Sequence, residues 1–144
     1  APPAHRCEWV RDLDGVRWIN DSKATNLDAM AQALRSAAGP VVLIAGGKDK
    51  GFEFDDIAEL VQSRARAAVL IGEMRHRIAS SWKNTDCHCV DSLEEAVAAA
   101  QGLARAGDTV LFSPGTSSFD MFQNYGERGN LFKNFVNQLP NTTP

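Results

Sequence analysis

No stretch of this 144-residue chain is apolar for anything near the ~20 residues that a membrane-spanning helix requires. No signal-peptide pattern is visible at its start. Basic residues are not in excess either: 15 Lys and Arg stand against 18 Asp and Glu, a formal charge of −3. The electrostatic footprint of a nucleic-acid or anionic-lipid binder is therefore missing. Cysteine is scarce and odd in number, at Cys7, Cys87 and Cys89. Cys87-His88-Cys89 would put two ligands on one face of a strand, but a zinc site needs about four, and no second Cys or His pair has suitable spacing. Buried or half-buried free thiols in a reducing cytoplasm are the expectation. Two phosphate-binding fingerprints are also missing, the P-loop G-x-x-x-x-G-K-[ST] and the dinucleotide G-x-G-x-x-G. There is no internal repeat and no low-complexity segment.

What is present fits one globular domain with a proper core, at 44% hydrophobic content. His5 to Val10 reads as a short strand, Asp14-Gly15 as a hairpin turn, and Val16 to Ile19 as the returning strand. An unbroken apolar run at 41–45 reads as a strand covered on both faces, and 67–71, 87–90 and 109–112 as further strands. Helical spacing runs over 27–37, 54–65, 74–82, 92–104 and from about 127 to 139, after a brief turn near Met121 and Phe122. Thr25 or Asn26 caps the first helix, and Asp91 or Ser92 the fourth. Residues 140–144 are expected to fray. Strand and helix alternate, so the fold class is α/β: a doubly wound, mainly parallel, Rossmann-like sheet, with one antiparallel edge strand from the N-terminal hairpin.

Polar chemistry concentrates in three loops, each directly after a strand: residues 20–26, 46–51 and 113–119. In an open α/β sheet such loops share the carboxyl edge, where ligands bind. Asn20-Asp21-Ser22-Lys23-Ala24-Thr25-Asn26 has more polar groups than capping explains, including an amine where no helix end needs a cation. Gly46-Gly47-Lys48-Asp49-Lys50-Gly51 could approach a phosphate, though a turn with solvated lysines is the plainer reading, and Lys48 is expected to be one. Residues 113–119 supply hydroxyls and helix-start N–H groups, which suit a carboxylate as well as they suit plain capping. His76, between two arginines, is expected to face solvent. Trp18 and Trp82 are expected in or near the core.

The string Asn20 to Asn26 resembles the signature that opens the C-terminal domain of ATP-dependent Mur ligases, in their D-glutamate-adding branch. Ser113-Pro114, Ser118, Asp120, Phe122, Asn124-Tyr125 and Arg128-Gly129 resemble the second signature of that branch. Gly115-Thr116-Ser117 departs from the Ala-Cys-Ala of many relatives. No Asp-Asn-Pro-Arg string of the diaminopimelate-adding branch is present. The resemblance runs from His5 to about Leu139, and the opening Ala-Pro-Pro-Ala suits a domain cut from a longer ligase.

The resemblance implies a reaction in which ATP phosphorylates the carboxylate of UDP-N-acetylmuramoyl-L-alanine and D-glutamate attacks the acyl phosphate. It assigns Lys23 a catalytic role, with Arg6 and Asp21 joining it toward ATP. Thr25, Lys50, Ser118, Phe119 and Tyr125 go to D-glutamate; His5 has no support beyond the motif. ATP and Mg²⁺ are expected to be held mainly by a central domain, and the UDP moiety by an N-terminal one. This chain would then carry no metal site, act as a cytoplasmic monomer without nucleic-acid or membrane partners, and be inactive alone. Two other readings stand beside this one. A stand-alone binding module for an acidic metabolite would bind its ligand with no other domain. A sister amide ligase, another Mur enzyme or one like folylpolyglutamate synthetase, would share the fold and take a different acceptor.

Overall fold

Among the described residues, twelve short elements build one sheet and its two coats. The computed structural model describes residues 4–48, 51–116 and 121–141. Strands β1 (Glu8–Leu13) and β2 (Val16–Asn20) form the hairpin, and α1 (Leu27–Ser36) leads into β3 (Val41–Ala45). A 3-10 turn (Phe54–Ile57) precedes α2 (Ala58–Arg64), β4 (Ala65–Leu70), α3 (Arg75–Ser81), β5 (Cys87–Cys89), α4 (Leu93–Leu103), β6 (Thr109–Phe112) and α5 (Tyr125–Gln138). The strand order is β1-β2-β6-β3-β4-β5, with only the β1–β2 pair antiparallel. This is the mainly parallel sheet with an antiparallel edge that the alternation of elements implies.

Every residue of β3 and β6 is buried, as unbroken apolar strands covered on both faces require. One face carries Trp18, Val42, Ile44, Val110 and Phe112 against α4 and α5, where Phe112 and Phe132 stack with ring centroids 4.7 Å apart. The other carries Leu43, Leu70 and Leu111 against α1, α2 and α3, with Phe54 and Trp82 meeting edge to face. Trp18 and Trp82 both lie in the core, and His76 is exposed.

The differences from the sequence reading are local and have identifiable causes. His5 and Cys7 hold positive φ, 66° and 44°, so no strand forms before Glu8. The helix expected over 54–65 divides into a 3-10 turn and a short α-helix, with Trp82 Nε1 donating to Phe54 O at 2.9 Å. The last helix begins at Tyr125, two residues early, because the Asn124 side chain accepts from Glu127 N at 2.8 Å. Asn26 and Ser92 supply the other two caps. Cys7 and Cys89 are exposed and only Cys87 is half-buried, because hairpin and β5 are the sheet's edges. Pro140 is tied by Gln101 Nε2 at 3.2 Å, while residues 142–144 lie outside the described residues.

The amino edge of the sheet is closed by arginines. Arg66 grips the buried Asp108 through Nε at 2.8 Å and Nη2 at 3.0 Å, and Arg64 donates to the carbonyls of Leu34, Ala37 and Gly39 at the end of α1. Function has to be sought at the opposite edge.

Candidate functional site

The three polar loops do meet at the carboxyl edge, and backbone hydrogen bonds sew them together. Asp21 N donates to Phe112 O at 2.8 Å, Gly46 N to Pro114 O at 3.1 Å, and Gly115 N to Ala24 O at 2.8 Å. The middle bond explains Gly46: its φ is +116°, and a Cβ there would sit 2.1 Å from the backbone oxygen of Ile71. Only glycine lets the chain pass so close.

The first loop is shaped by its own side chains. Asn20 Oδ1 accepts from Ser22 N at 3.1 Å, and Ala24 N donates back to Asp21 O at 2.9 Å. Asp21 is 4% exposed and is held from both sides. Its Oδ1 accepts from Cys7 N at 3.0 Å and its Oδ2 from Ser113 Oγ at 2.8 Å. Burial raises its pKa; the bonds from Ser113 and Cys7, and the nearby Arg6 charge, pull the other way. The carboxylate therefore fixes the Arg6-Cys7 segment to the sheet whatever else it contacts. The Cys7 sulfur, 3.6 Å from the same oxygen, is pushed up to about 11 by burial first and by this carboxylate second.

The preceding residues are docked as firmly. Lys23 N donates to His5 O at 2.9 Å and His5 N to Glu8 Oε1 at 3.1 Å. Asn20 Nδ2 lies 2.8 Å from His5 Nδ1 and 3.0 Å from Glu8 Oε1, so His5 Nδ1 is the acceptor and the ring is neutral. Burial and the neighbouring Lys133 ammonium lower the His5 pKa, against a raising contribution from Glu8. The ring sits against Gly129 of α5, where a Cβ would lie 2.1 Å from Nδ1. His5 thus has a structural role that its sequence context did not reveal.

Four of the anticipated residues line one cleft of about 890 Å³: Arg6, Asp21, Lys23 and Thr25. Arg35, from the last turn of α1, lines it too, so three cations surround a single, already hydrogen-bonded carboxylate. Such a cleft suits an anion. Tyr125 adjoins it, with the Lys23 ammonium 5.9 Å from its ring centroid and the ring 38% exposed. Lys50, Ser118 and Phe119 lie outside the described residues.

The residue that holds this arrangement together is Arg128, which the sequence reading quoted in a motif without giving it a role. It is completely buried. Its Nη2 donates to Ser22 O at 2.7 Å, its Nε to Ser22 Oγ at 3.0 Å and its Nη1 to Thr116 O at 3.2 Å. Ser22 Oγ donates in turn to Tyr125 O at 2.8 Å. One guanidinium therefore ties the first loop, the third loop and the start of α5, using its fixed fork of donors. A signal was available: Arg128 lies four residues before Phe132 and eight before Val136, on the buried stripe of α5.

Residues 5–116 match the family described as Mur ligase, glutamate ligase domain. The chain belongs to that family. As a Mur ligase domain it is 50% identical over 136 residues to the UDP-N-acetylmuramoylalanine--D-glutamate ligase of Chlorobium phaeobacteroides, covering 94% of this chain and 29% of that protein. It is 48% identical to the ligase of the same name from Geotalea uraniireducens, covering 94% and 30%. The domain thus spans about 30% of the length of the curated relatives it matches. Among solved structures, the murein peptide ligase of Psychrobacter arcticus superposes with a TM-score of 0.65 at 14% identity, covering 94% of this chain and 31% of that one. The folylpolyglutamate synthase of Thermotoga maritima gives 0.63 at 14% identity, covering 99% and 32%. These two likenesses establish the Mur ligase domain's fold and nothing finer. Among the described residues no three His, Cys, Asp or Glu side chains converge as metal ligands, and the one cleft carboxylate is already engaged. The described lining of the cleft therefore does not fit Mg²⁺ by itself.

Proposed function

We propose that this chain is the C-terminal domain of a cytoplasmic, monomeric, ATP-dependent ligase that joins D-glutamate to UDP-N-acetylmuramoyl-L-alanine in making peptidoglycan precursor. The observation that carries this reading is the cationic cleft at the sewn carboxyl edge, in a chain about 50% identical to ligases of that name. The γ-phosphoryl of ATP passes to the muramoyl-alanine carboxylate, and ADP leaves. The D-glutamate amine then bonds to the acyl carbon, phosphate departs with the C–O electron pair, and the amine proton is lost to give the amide.

This chemistry asks the domain for positioning and for charge. Lys23, projecting into the cleft beside Tyr125, supplies a point charge to the transferring phosphoryl. Arg6 and Asp21, on the same wall, serve the ribose side of ATP. Thr25 and Tyr125 border the place of the acceptor amino acid, and Lys50, Ser118 and Phe119 complete it in this assignment. The nucleotide's Mg²⁺, its phosphate-binding loop and the UDP pocket come from the preceding domains, and closure over them completes the site.

The deciding assay follows ADP release from the ligase with its upstream domains, given Mg-ATP, UDP-N-acetylmuramoyl-L-alanine and one of D-glutamate, L-glutamate or diaminopimelate. Turnover with D-glutamate alone is expected, and Lys23→Ala should lower kcat. Turnover with another acceptor would make the protein a sister ligase. No turnover with any would return the binding-module reading.

A further inference from the structure

Cys87-His88-Cys89 takes no part in the chemistry proposed above. These residues form β5, the outermost strand on the side of the sheet away from the hairpin. Alternate residues of a strand point to one face, so the two thiols share a side and His88 takes the other. The side they share faces α3. Cys87 Sγ lies 3.7 Å from Trp82 O and Cys89 Sγ 3.6 Å from Arg75 O, at the two ends of that helix. Cys87 is half-buried and packs against the core beneath α3, whereas Cys89 is exposed. A thiol is a weak hydrogen-bond donor, so neither sulfur is firmly held by its carbonyl.

The harder donors nearby are already engaged. His88 Nε2 lies 3.0 Å from Asp86 Oδ2, and Asp91 Oδ1 lies 3.5 Å from Arg75 Nη2. No third His, Cys, Asp or Glu among the described residues completes a cluster with the thiols. Two sulfurs alone satisfy neither zinc, which takes about four ligands, nor the hard cations, which take six or more oxygens. They do satisfy a soft cation that accepts two thiolates in line, and thiolate ligands select copper(I).

Spacing decides between such a site and a disulfide. Two residues along a parallel strand advance about 6.6 Å. A disulfide needs its Cβ atoms about 3.5–4.5 Å apart, which an extended strand does not allow. Two metal–thiolate bonds of about 2.3 Å, placed end to end, span about 4.6 Å. Each C–S bond then has to lean inward by only about 1 Å, which a turn about χ1 provides at the cost of one weak S–H···O contact.

We propose that Cys87 and Cys89 form a two-coordinate site for copper(I), with one Sγ on either side of the ion. As the ion binds, two S–Cu bonds form, two S–H bonds break and both protons pass to water. The site lies on the edge strand, separated from β2 by β4, β3 and β6, and it does not depend on the ligase reading.

The test titrates the reduced 144-residue chain, without oxygen, into the coloured copper(I) complex of bicinchoninate and follows the loss of colour. One copper(I) per chain should be withdrawn, and X-ray absorption should show two sulfur neighbours. Cys89→Ser, at an exposed position, should weaken binding at least 100-fold, and Cys7→Ser should leave it unchanged. Cys87→Ser should match Cys89→Ser; if it unfolds, Cys89→Ser and the absorption spectrum decide. No withdrawal of copper, full affinity in Cys89→Ser, or loss of binding in Cys7→Ser overturns the site. So does a copper-dependent dimer on gel filtration, which would place one thiolate from each of two copies on the ion.

Discussion

Replacing Arg128 should loosen the whole carboxyl edge. Arg128→Met keeps much of the aliphatic volume and removes the guanidinium, which makes at least three hydrogen bonds to Ser22 O, Ser22 Oγ and Thr116 O. The two carbonyls are then left without this donor in a buried place, at about 1–3 kcal/mol each. The guanidinium also lies 5.9 Å from the Phe112 ring centroid, an attraction of up to about 2 kcal/mol where water is excluded. Allowing for some relaxation of the loops, the loss should be about 4 kcal/mol, a large part of the ~5–15 kcal/mol that holds a domain folded. With a urea dependence of about 2 kcal/mol per molar, the midpoint should fall by about 2 M. Arg128→Lys retains the charge but not the fork and should recover only part of that. Amide exchange supplies the local readout. The Gly46 and Gly115 amides, which bond across the loop seams, should exchange faster in the variant than those at the centre of β3. A midpoint within about 0.3 M of wild type, with the seam amides equally protected, would refute the assignment of Arg128 as the residue that joins the loops.

Three further outcomes follow from geometry and charge. Gly46→Ala puts a methyl 2.1 Å from the Ile71 backbone oxygen at a φ of +116° and should cost about 3 kcal/mol or more, whereas Gly102→Ala, inside α4 with open space around it, should stabilise by about 0.5–1 kcal/mol; thermal melts of the two variants check both signs. Cys7 is exposed, yet its thiol is held at about 11, so at pH 8 it should alkylate about 100-fold more slowly than a thiol of pKa ~9, and Asp21→Asn should speed it; reaction at the unperturbed rate would contradict the contact with Asp21. Asp108 resists the upward pull of burial and is kept below the usual carboxylate range by Arg66 and by Arg105 N, so it contributes stability above pH ~4 that disappears as pH falls through its folded value. Asp108→Asn should flatten that acid limb, and identical limbs in the two proteins would exclude the pair as its source.

Much of the fold was legible because the strands before the second and third loops read as near-continuous apolar runs, while β2, with Arg17 exposed, alternates. Val41 to Ala45 and Thr109 to Phe112 carry no polar alternation except Thr109, so burial on both faces, parallel pairing and covering helices follow together. Asp14-Gly15 marked the hairpin in the same direct way, with both residues at positive φ. The start of the first strand was not legible. His5 and Cys7 adopt positive φ because the segment is pulled onto the first loop by Lys23 N, Asn20 and Asp21, contacts 14 to 18 residues away that no local propensity encodes. Tertiary bonding overrode a β-like string.

The candidate site divides along the same line. Asp21, Lys23 and Thr25 stood out because polar groups crowd beyond what capping can use, Arg6 came from the family resemblance alone, and the four share one cleft. Arg128 and His5 were not, because their importance lies in what they hold. A lone arginine in a helix reads as a surface charge until its place on the Phe132–Val136 stripe is noticed, and that stripe forces the guanidinium inward. Once inside, it must find acceptors, and the backbone carbonyls it reaches belong to the two loops that flank the strand ends. The same pattern of burial that places α5 against the sheet thus also fixes the distance between the loops. A change in α5 should consequently alter the shape of the cleft that Lys23 and Thr25 line even where it touches neither residue, through the Arg128–Ser22 bonds, and faster exchange of the Gly115 amide would report it.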